Sequence, residues 1–482
     1  MDRRMLRLLS LFLLLSSGFI SFAHAKLENW NEYKSQNFTL YSDLDKSDVE
    51  KALTDFEIFR TTLFEVLNLD KSRTFVPVEV YAFKDYKDYD LVKPGRNVAG
   101  FFTPTTRGPI MVVGPGRLSD LDLNTLYHEY LHYLVRTNSS FRYPGWFDEG
   151  IAELYSSVEY NDEIVIIGNP SRLKPRTQTK LLDLETLLTI NRSTLTGGKL
   201  TGRYYATAWL FTHFLRFSGD NGFDDYNASL NQFLILYNQG IKPLEAYKQS
   251  FAVSLDEMQK KLRRYRRKLR LSALSMTKPE INLDYQSQAM EQGQLYANLS
   301  SLAFSVGQQE TSTKLLQQAM KLNNAKALSV NAFLLVREDK TEEAIALLDE
   351  LVRRKNLSAE ALLNIGQAYK ELSERLSERQ EEMRRLATYY LERSKKSGSY
   401  SQTLVFLADL YWQAGEKEKA AEEIIGAVSL LPSSTYFNLI AGSYMVELKN
   451  EAYARFFLGN VINWSNDPKQ IEQAQLGLAS FE

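Results

Sequence analysis

No residue of this 482-residue chain is a cysteine. That excludes disulfides, and it excludes lipid attachment at a cysteine behind an export signal. An excess of one charge is lacking too. With 58 basic residues against 59 acidic ones, nothing global draws the chain to nucleic acid or to an anionic membrane. Past the opening residues, no apolar run approaches the roughly 20 residues that span a bilayer.

The opening itself reads as an export signal. Arg3, Arg4 and Arg7 precede a largely apolar stretch from Leu8 to Phe22, and Ala23-His24-Ala25 is a small-x-small cleavage site. Retention as an uncleaved anchor is the alternative. A bacterial periplasm suits an exported chain that dispenses with disulfides because its core is large. At this length at least two domains are expected, and an apolar share of 44% is ordinary globular material.

Histidine is scarce, with four in the chain and one of them, His24, inside the signal. Two of the other three stand in His128-Glu129-Tyr130-Leu131-His132, an H-E-x-x-H motif. On a helix, positions four apart share a face, so both imidazoles can point at one metal ion. Glu129 is then placed to take a proton from a metal-bound water. Leu123, Leu126, Tyr127, Tyr130, Leu131 and Leu134 give that helix a buried stripe, with Asp120 or Asp122 as its cap. A bare pentapeptide of this kind also arises by chance on ordinary helices.

Further on comes Trp146-Phe147-Asp148-Glu149-Gly150-Ile151-Ala152-Glu153. Zinc held by two imidazoles needs a third protein ligand, leaving a fourth position for water. Glu149 suits that place from a second helix, with Gly150 easing its approach to the first and Trp146 and Phe147 anchoring its start. Glu153, one turn on, suits a carboxylate that orients a ligand histidine; otherwise it is a surface charge. Spacing alone allows either glutamate to reach the metal.

H-E-x-x-H followed by W-x-x-E-G-x-A-E resembles the gluzincin metallopeptidases, in particular the bacterial peptidase-MA-like family. The resemblance runs from about residue 36 to about 268 and takes in Asn37 to Asp43, Val78 to Phe83, Ala99 to Phe102 and Tyr205 to Leu215. It implies an α+β gluzincin-like fold, zinc as cofactor, and Glu149 as third ligand beside His128 and His132. It also puts Tyr205 at the tyrosine of Y-x-x-[SA]-W, a donor to the oxyanion of the transition state. Tyr204 and His213 are the alternatives for that role.

Elsewhere the first half predicts strands at Phe38–Tyr41, Val78–Phe83, Gly100–Phe102, Ile110–Val113 and Ile164–Ile167. Helical stripes cover Val49 to Leu67, Leu181–Leu188 and Ala206 to Phe217. One of the strands at 100–102 and 110–113 is expected at a sheet edge, where a peptide can bind by main-chain hydrogen bonds. Lys260 to Lys268 is densely basic on an amphipathic helix, expected to be a solvated face. Beyond Pro279, Ala408, Tyr411, Gly415, Ala420, Ala427 and Pro432 match a 34-residue tetratricopeptide repeat. Gly442, Ala454 and Val461 stand in equivalent places of the next unit. Leu362, Gly366 and Tyr369 begin one lengthened by Ser373–Leu386, and weaker units lie at Leu299–Ala319 and Val330–Leu351.

The organisation expected is a signal at 1–25, a zinc metallopeptidase domain at 26–278, a linker at 279–287 and an all-α tetratricopeptide-like solenoid at 288–482. Its activity would be hydrolysis of peptide bonds, with a peptide or protein substrate and a protein partner at the repeats. Nucleic acid and a lasting membrane span are not expected. Two other readings share these residues: an envelope scaffold with a vestigial peptidase-like domain, and hydrolysis of a non-peptide amide.

Overall fold

A computed structural model describes residues 27–71, 76–96, 98–116, 124–138, 142–168, 180–190, 194–195, 197–268, 271, 274–398, 400–465 and 467–481. The expected export signal, the expected caps Asp120 and Asp122, and Leu123 lie outside them.

The first half is built on a six-stranded mixed sheet. Its strands are β1 (Asn31–Lys34), β2 (Phe38–Ser42), β3 (Val78–Ala82), β4 (Gly100–Pro104) and β5 (Pro109–Val113), joined by a later one. Two short strands, β6 (Glu159–Tyr160) and β7 (Ile164–Ile167), form a separate antiparallel sheet with β8 (Leu274–Thr277). The last strand, β9 (Gln286–Ala289), returns to pair with β1. The main sheet runs β4-β5-β3-β2-β1-β9, parallel across β2-β3 and β3-β5 and antiparallel elsewhere. β4 is thus an edge and β5 an inner strand. The stretch expected as a linker contributes the start of β9.

Alternation along these strands sends their side chains to two cores. Phe38, Leu40, Val78, Val80, Met111 and Val113 join one core with α1 (Lys46–Val66). Tyr81, Phe83 and Val112 join another with Leu295, Leu299 and Leu302 from the second half of the chain. The sheet is therefore covered on both faces, as near-continuous apolar strands require. Tyr86–Tyr89 forms a single turn, α2, behind β3. Next comes α3 (Asn124–Asn138), which lays Tyr127 on Phe59 of α1 at 3.9 Å between ring centroids and Tyr130 against Phe38 at 5.7 Å. That packing fixes which face of α3 is left for its histidines.

The other α-helices of this half among the described residues are α4 (Gly145–Tyr155), α5 (Leu184–Thr189), α6 (Gly198–Phe217), α7 (Asn227–Asn238), α8 (Pro243–Ser250) and α9 (Leu255–Arg266). Asp183 caps α5 and Ser254 caps α9 through the amides of Thr186 and Glu257. On α9, Met258, Leu262 and Tyr265 are buried, while Lys260, Arg263, Arg264 and Arg267 stand in solvent.

The second half is a solenoid of antiparallel helix pairs. They are α10 (Gln292–Ser305) with α11 (Gln309–Lys321), α12 (Ala325–Arg337) with α13 (Thr341–Leu351), and α14 (Ala359–Arg375) with α15 (Gln380–Ser397). Next come α16 (Ser401–Gln413) with α17 (Lys417–Leu430) and α18 (Thr435–Glu447) with α19 (Glu451–Trp464), closed by α20 (Pro468–Ala479). Small residues stand where paired helices meet. A Cβ on Gly366 would lie 2.6 Å from Leu391, and one on Gly442 would lie 2.3 Å from Leu458. Ala408, Ala420, Ala427 and Ala454 are fully buried. No helix among the described residues is long and apolar enough to cross a membrane.

Candidate metal centre

The four-residue spacing puts His128 and His132 on one face of α3, their Nε2 atoms 3.2 Å apart. From α4, Glu149 brings its Oε2 to 3.1 Å from Nε2 of His128 and 3.5 Å from Nε2 of His132. Zinc bonds of about 2.0–2.1 Å in a tetrahedron imply edges of about 3.3 Å between ligand atoms. The three separations straddle that figure. Glu149 is buried, as is His132, while His128 is partly exposed at the open side.

The outward nitrogens are engaged separately. Nδ1 of His132 lies 3.2 Å from Oδ1 of Asp148, and Nη2 of Arg136 donates to the other oxygen of that carboxylate at 2.7 Å. Nδ1 of His128 lies 3.8 Å from Oε1 of Glu153, an ion-pair distance and too long for the hydrogen bond the sequence suggested. With the Nδ1–H of His132 turned to Asp148, its Nε2 is an acceptor facing the Glu149 carboxylate. A shared proton or a bound cation reconciles acceptors this close. Burial by itself would lower the His132 pKa, but the Asp148 charge and the Glu149 carboxylate outweigh it and push it up to about 9. A cation at this point displaces that proton.

Asp148 is the site residue that sequence reading passed over. Its signal was there: beside Glu149 it is a second charge inside the otherwise apolar run from Trp146 to Ala152, where a buried carboxylate needs a partner.

The position of α4 follows from close contacts on its far side. Every residue from Trp146 to Tyr155 is buried, and Trp146 packs on Phe211 at 5.0 Å and Phe233 at 6.0 Å. The need for glycine at 150 arises there and not at α3. A Cβ on Gly150 would lie 2.1 Å from Oγ1 of Thr212 and 2.7 Å from the carbonyl of Ala208, both on α6. The expectation that Gly150 eases the approach to the histidine helix is thus corrected: it brings α4 onto α6.

That same helix carries the three candidate oxyanion donors. Tyr205 is half-buried, with its ring 6.4 Å from that of His128. Tyr204 is buried in the core. His213 is fully buried, its Nδ1 2.8 Å from the Tyr265 hydroxyl and its ring against Trp209 and Phe217. Burial pushes its pKa down to about 4. Of the three, Tyr205 is the one brought beside the histidine pair. Glu129, on α3, is partly exposed. Edge strand β4 flanks the same helix, and a Cβ on Gly100 would lie 3.8 Å from Leu126, two residues before His128.

No family model matches the chain, and no curated protein matches it either. Among solved structures the chain is similar to a thermophilic TPR protein, TTC0263, of Thermus thermophilus. That likeness has 16% identity, covers 39% of this chain and 98% of the other, and has a TM-score of 0.33.

Proposed function

We propose that the protein is an exported zinc metallopeptidase of the gluzincin type, with His128, His132 and Glu149 as metal ligands. One observation carries the reading: three inward-facing ligand-type atoms on two helices at 3.1, 3.2 and 3.5 Å, a spacing that suits a tetrahedral zinc site with its fourth corner toward the open side. When bound, zinc would supply a Lewis acid that lowers the pKa of water and polarises a carbonyl.

The chain's own residues divide the rest of the work. Glu129 takes the proton of the attacking water and delivers it to the leaving amine. Tyr205 donates its phenol to the oxygen that becomes negative in the tetrahedral transition state. Asp148 holds the His132 imidazole in the tautomer that turns Nε2 inward, and Glu153 places a negative charge beside Nδ1 of His128. β4, an edge strand among the described residues and alongside α3, is the strand an extended peptide would pair with. The helical repeats are read as the part that engages a protein partner or substrate, and the export signal read at 1–25 is consistent with a periplasmic protein.

Digestion of an unbiased peptide library by the full chain tests this. Cleavage that stops with chelator and returns with zinc is the expected result. A zinc-loaded, folded protein that leaves the library intact would remove the peptidase reading.

A further inference from the structure

The first helices of two successive pairs in the solenoid bind one side chain from the other half of the protein, and the first helices of the two pairs before them back its acceptors. Arg107 lies in the turn between β4 and β5, closed by the Thr105 amide donating to the Gly108 carbonyl at 3.0 Å. Its Nη1 donates to Glu360 of α14, its Nη2 to Oδ1 of Asn364 at 3.1 Å, and its Nε to Oε1 of Gln402 on α16 at 3.3 Å. Behind these acceptors, Lys326 of α12 pairs with the same Glu360 oxygen at 2.8 Å and donates to Asn298 of α10 at 2.9 Å. Asn364 is held in turn by Ser329 at 3.1 Å. Glu360 and Lys326 are largely withdrawn from water, with side chains 17% and 6% exposed. A fork of N–H donors meeting acceptors on two helices is a specific guanidinium socket, costly to build unless filled.

What fills it is the tip of the strand that flanks the metal helix. From the tip, β4 runs back in register with β5, Pro104 opposite Pro109 and Gly100 opposite Val113, to end against Leu126. Backbone pairing on one side and the socket at the tip therefore fix β4 relative to α3. The same solenoid also touches the chain that leads into α4: Asn463 donates to the Tyr143 carbonyl at 3.1 Å and accepts from the Tyr237 hydroxyl at 2.9 Å.

We propose that Arg107 is a positioning residue, and that the solenoid face formed by its first helices serves as a clasp setting the place of β4 beside the histidine helix. This rests on reading β4 as the strand that receives substrate. The ligand of this solenoid face is then a segment of its own chain, and the clasp couples the helical repeats to the cleft.

The test is amide hydrogen exchange on the full chain, comparing wild type with Arg107→Ala and Glu360→Gln, which open the clasp from opposite sides. Losing charge-assisted bonds should speed exchange in residues 100–104 and 109–113 about tenfold or more, with 124–138 unchanged. Both variants should keep the zinc affinity of wild type. In a hydrolysis assay, KM should rise several-fold while kcat stays within about twofold, because substrate placement changes and the chemistry does not. β4 exchanging at the wild-type rate in both variants would overturn the proposal, as would a rise spread over the whole chain. Exchange reports on the clasp without any turnover. Local loosening of β4 in a protein that cleaves nothing would therefore uphold the clasp and count against the peptidase.

Discussion

Arg136 donates from Nη2 to Oδ2 of Asp148 at 2.7 Å, one helical turn beyond His132 on the same helix. The pair ties α3 to α4 at the level of the candidate metal centre, and Asp148 passes the constraint to His132. Asp148→Asn keeps the shape but weakens the hold on the imidazole and leaves Arg136 without a counter-charge. Zinc affinity should fall about 10–100-fold, the usual effect of losing a carboxylate behind a ligand histidine. Competition titration with a chromophoric chelator measures it, and an unchanged affinity would sever Asp148 from the site.

The two glutamates of α4 should behave differently. Glu149→Ala removes one of three ligands and should abolish stable zinc binding. Glu153→Ala removes a carboxylate 3.8 Å from His128 and should leave binding intact, weakened at most about 100-fold. Zinc titration of the two folded variants separates them. Reversed behaviour would move the third ligand to Glu153.

The contact of Gly150 with α6 has a cost if filled. Gly150→Ala forces a methyl onto Thr212 and the Ala208 carbonyl, so α4 must shift, and with it Glu149. Stability should drop by about 1–3 kcal/mol, typical of overpacking, and zinc should bind more weakly. Urea denaturation that matches wild type would show that the helices part freely.

His213 makes a pH prediction. Its pKa is about 4 in the folded chain, against 6.5 for the free side chain. Between those values the unfolded chain holds the extra proton, so stability rises with pH through this window and falls on acidification. The contribution present above pH 6.5, about 3 kcal/mol, is lost progressively toward pH 4. His213→Gln should lose less stability than wild type between pH 7 and pH 4.5 in urea unfolding. Equal losses would mean His213 is not the group that titrates.

Much of this was legible in the sequence, because it is local. The i, i+4 histidines, the stripe on α3, the strands around 38–41, 78–83, 100–102 and 110–113, and the small residues of the repeats follow from periodicity. The sequence left two strands open as the sheet edge, and hydrogen-bond pairing settles it as β4. What stayed hidden depends on contacts distant in the chain. Nothing in Gln286–Ala289, exposed throughout and polar but for Ala289, announces pairing with β1. Arg107 looks like any turn arginine until residues some 250 to 295 positions later close around it. Gly150 reads as a small residue, and only the approach of α6 says against what.

The most direct test of the central claim is peptide turnover by Glu129→Gln at the same zinc content as wild type. Glu129 is not among the three inward ligand atoms, so the variant should bind zinc as wild type does. Without the base, turnover should fall at least about 100-fold. Wild-type turnover in the variant would contradict the account.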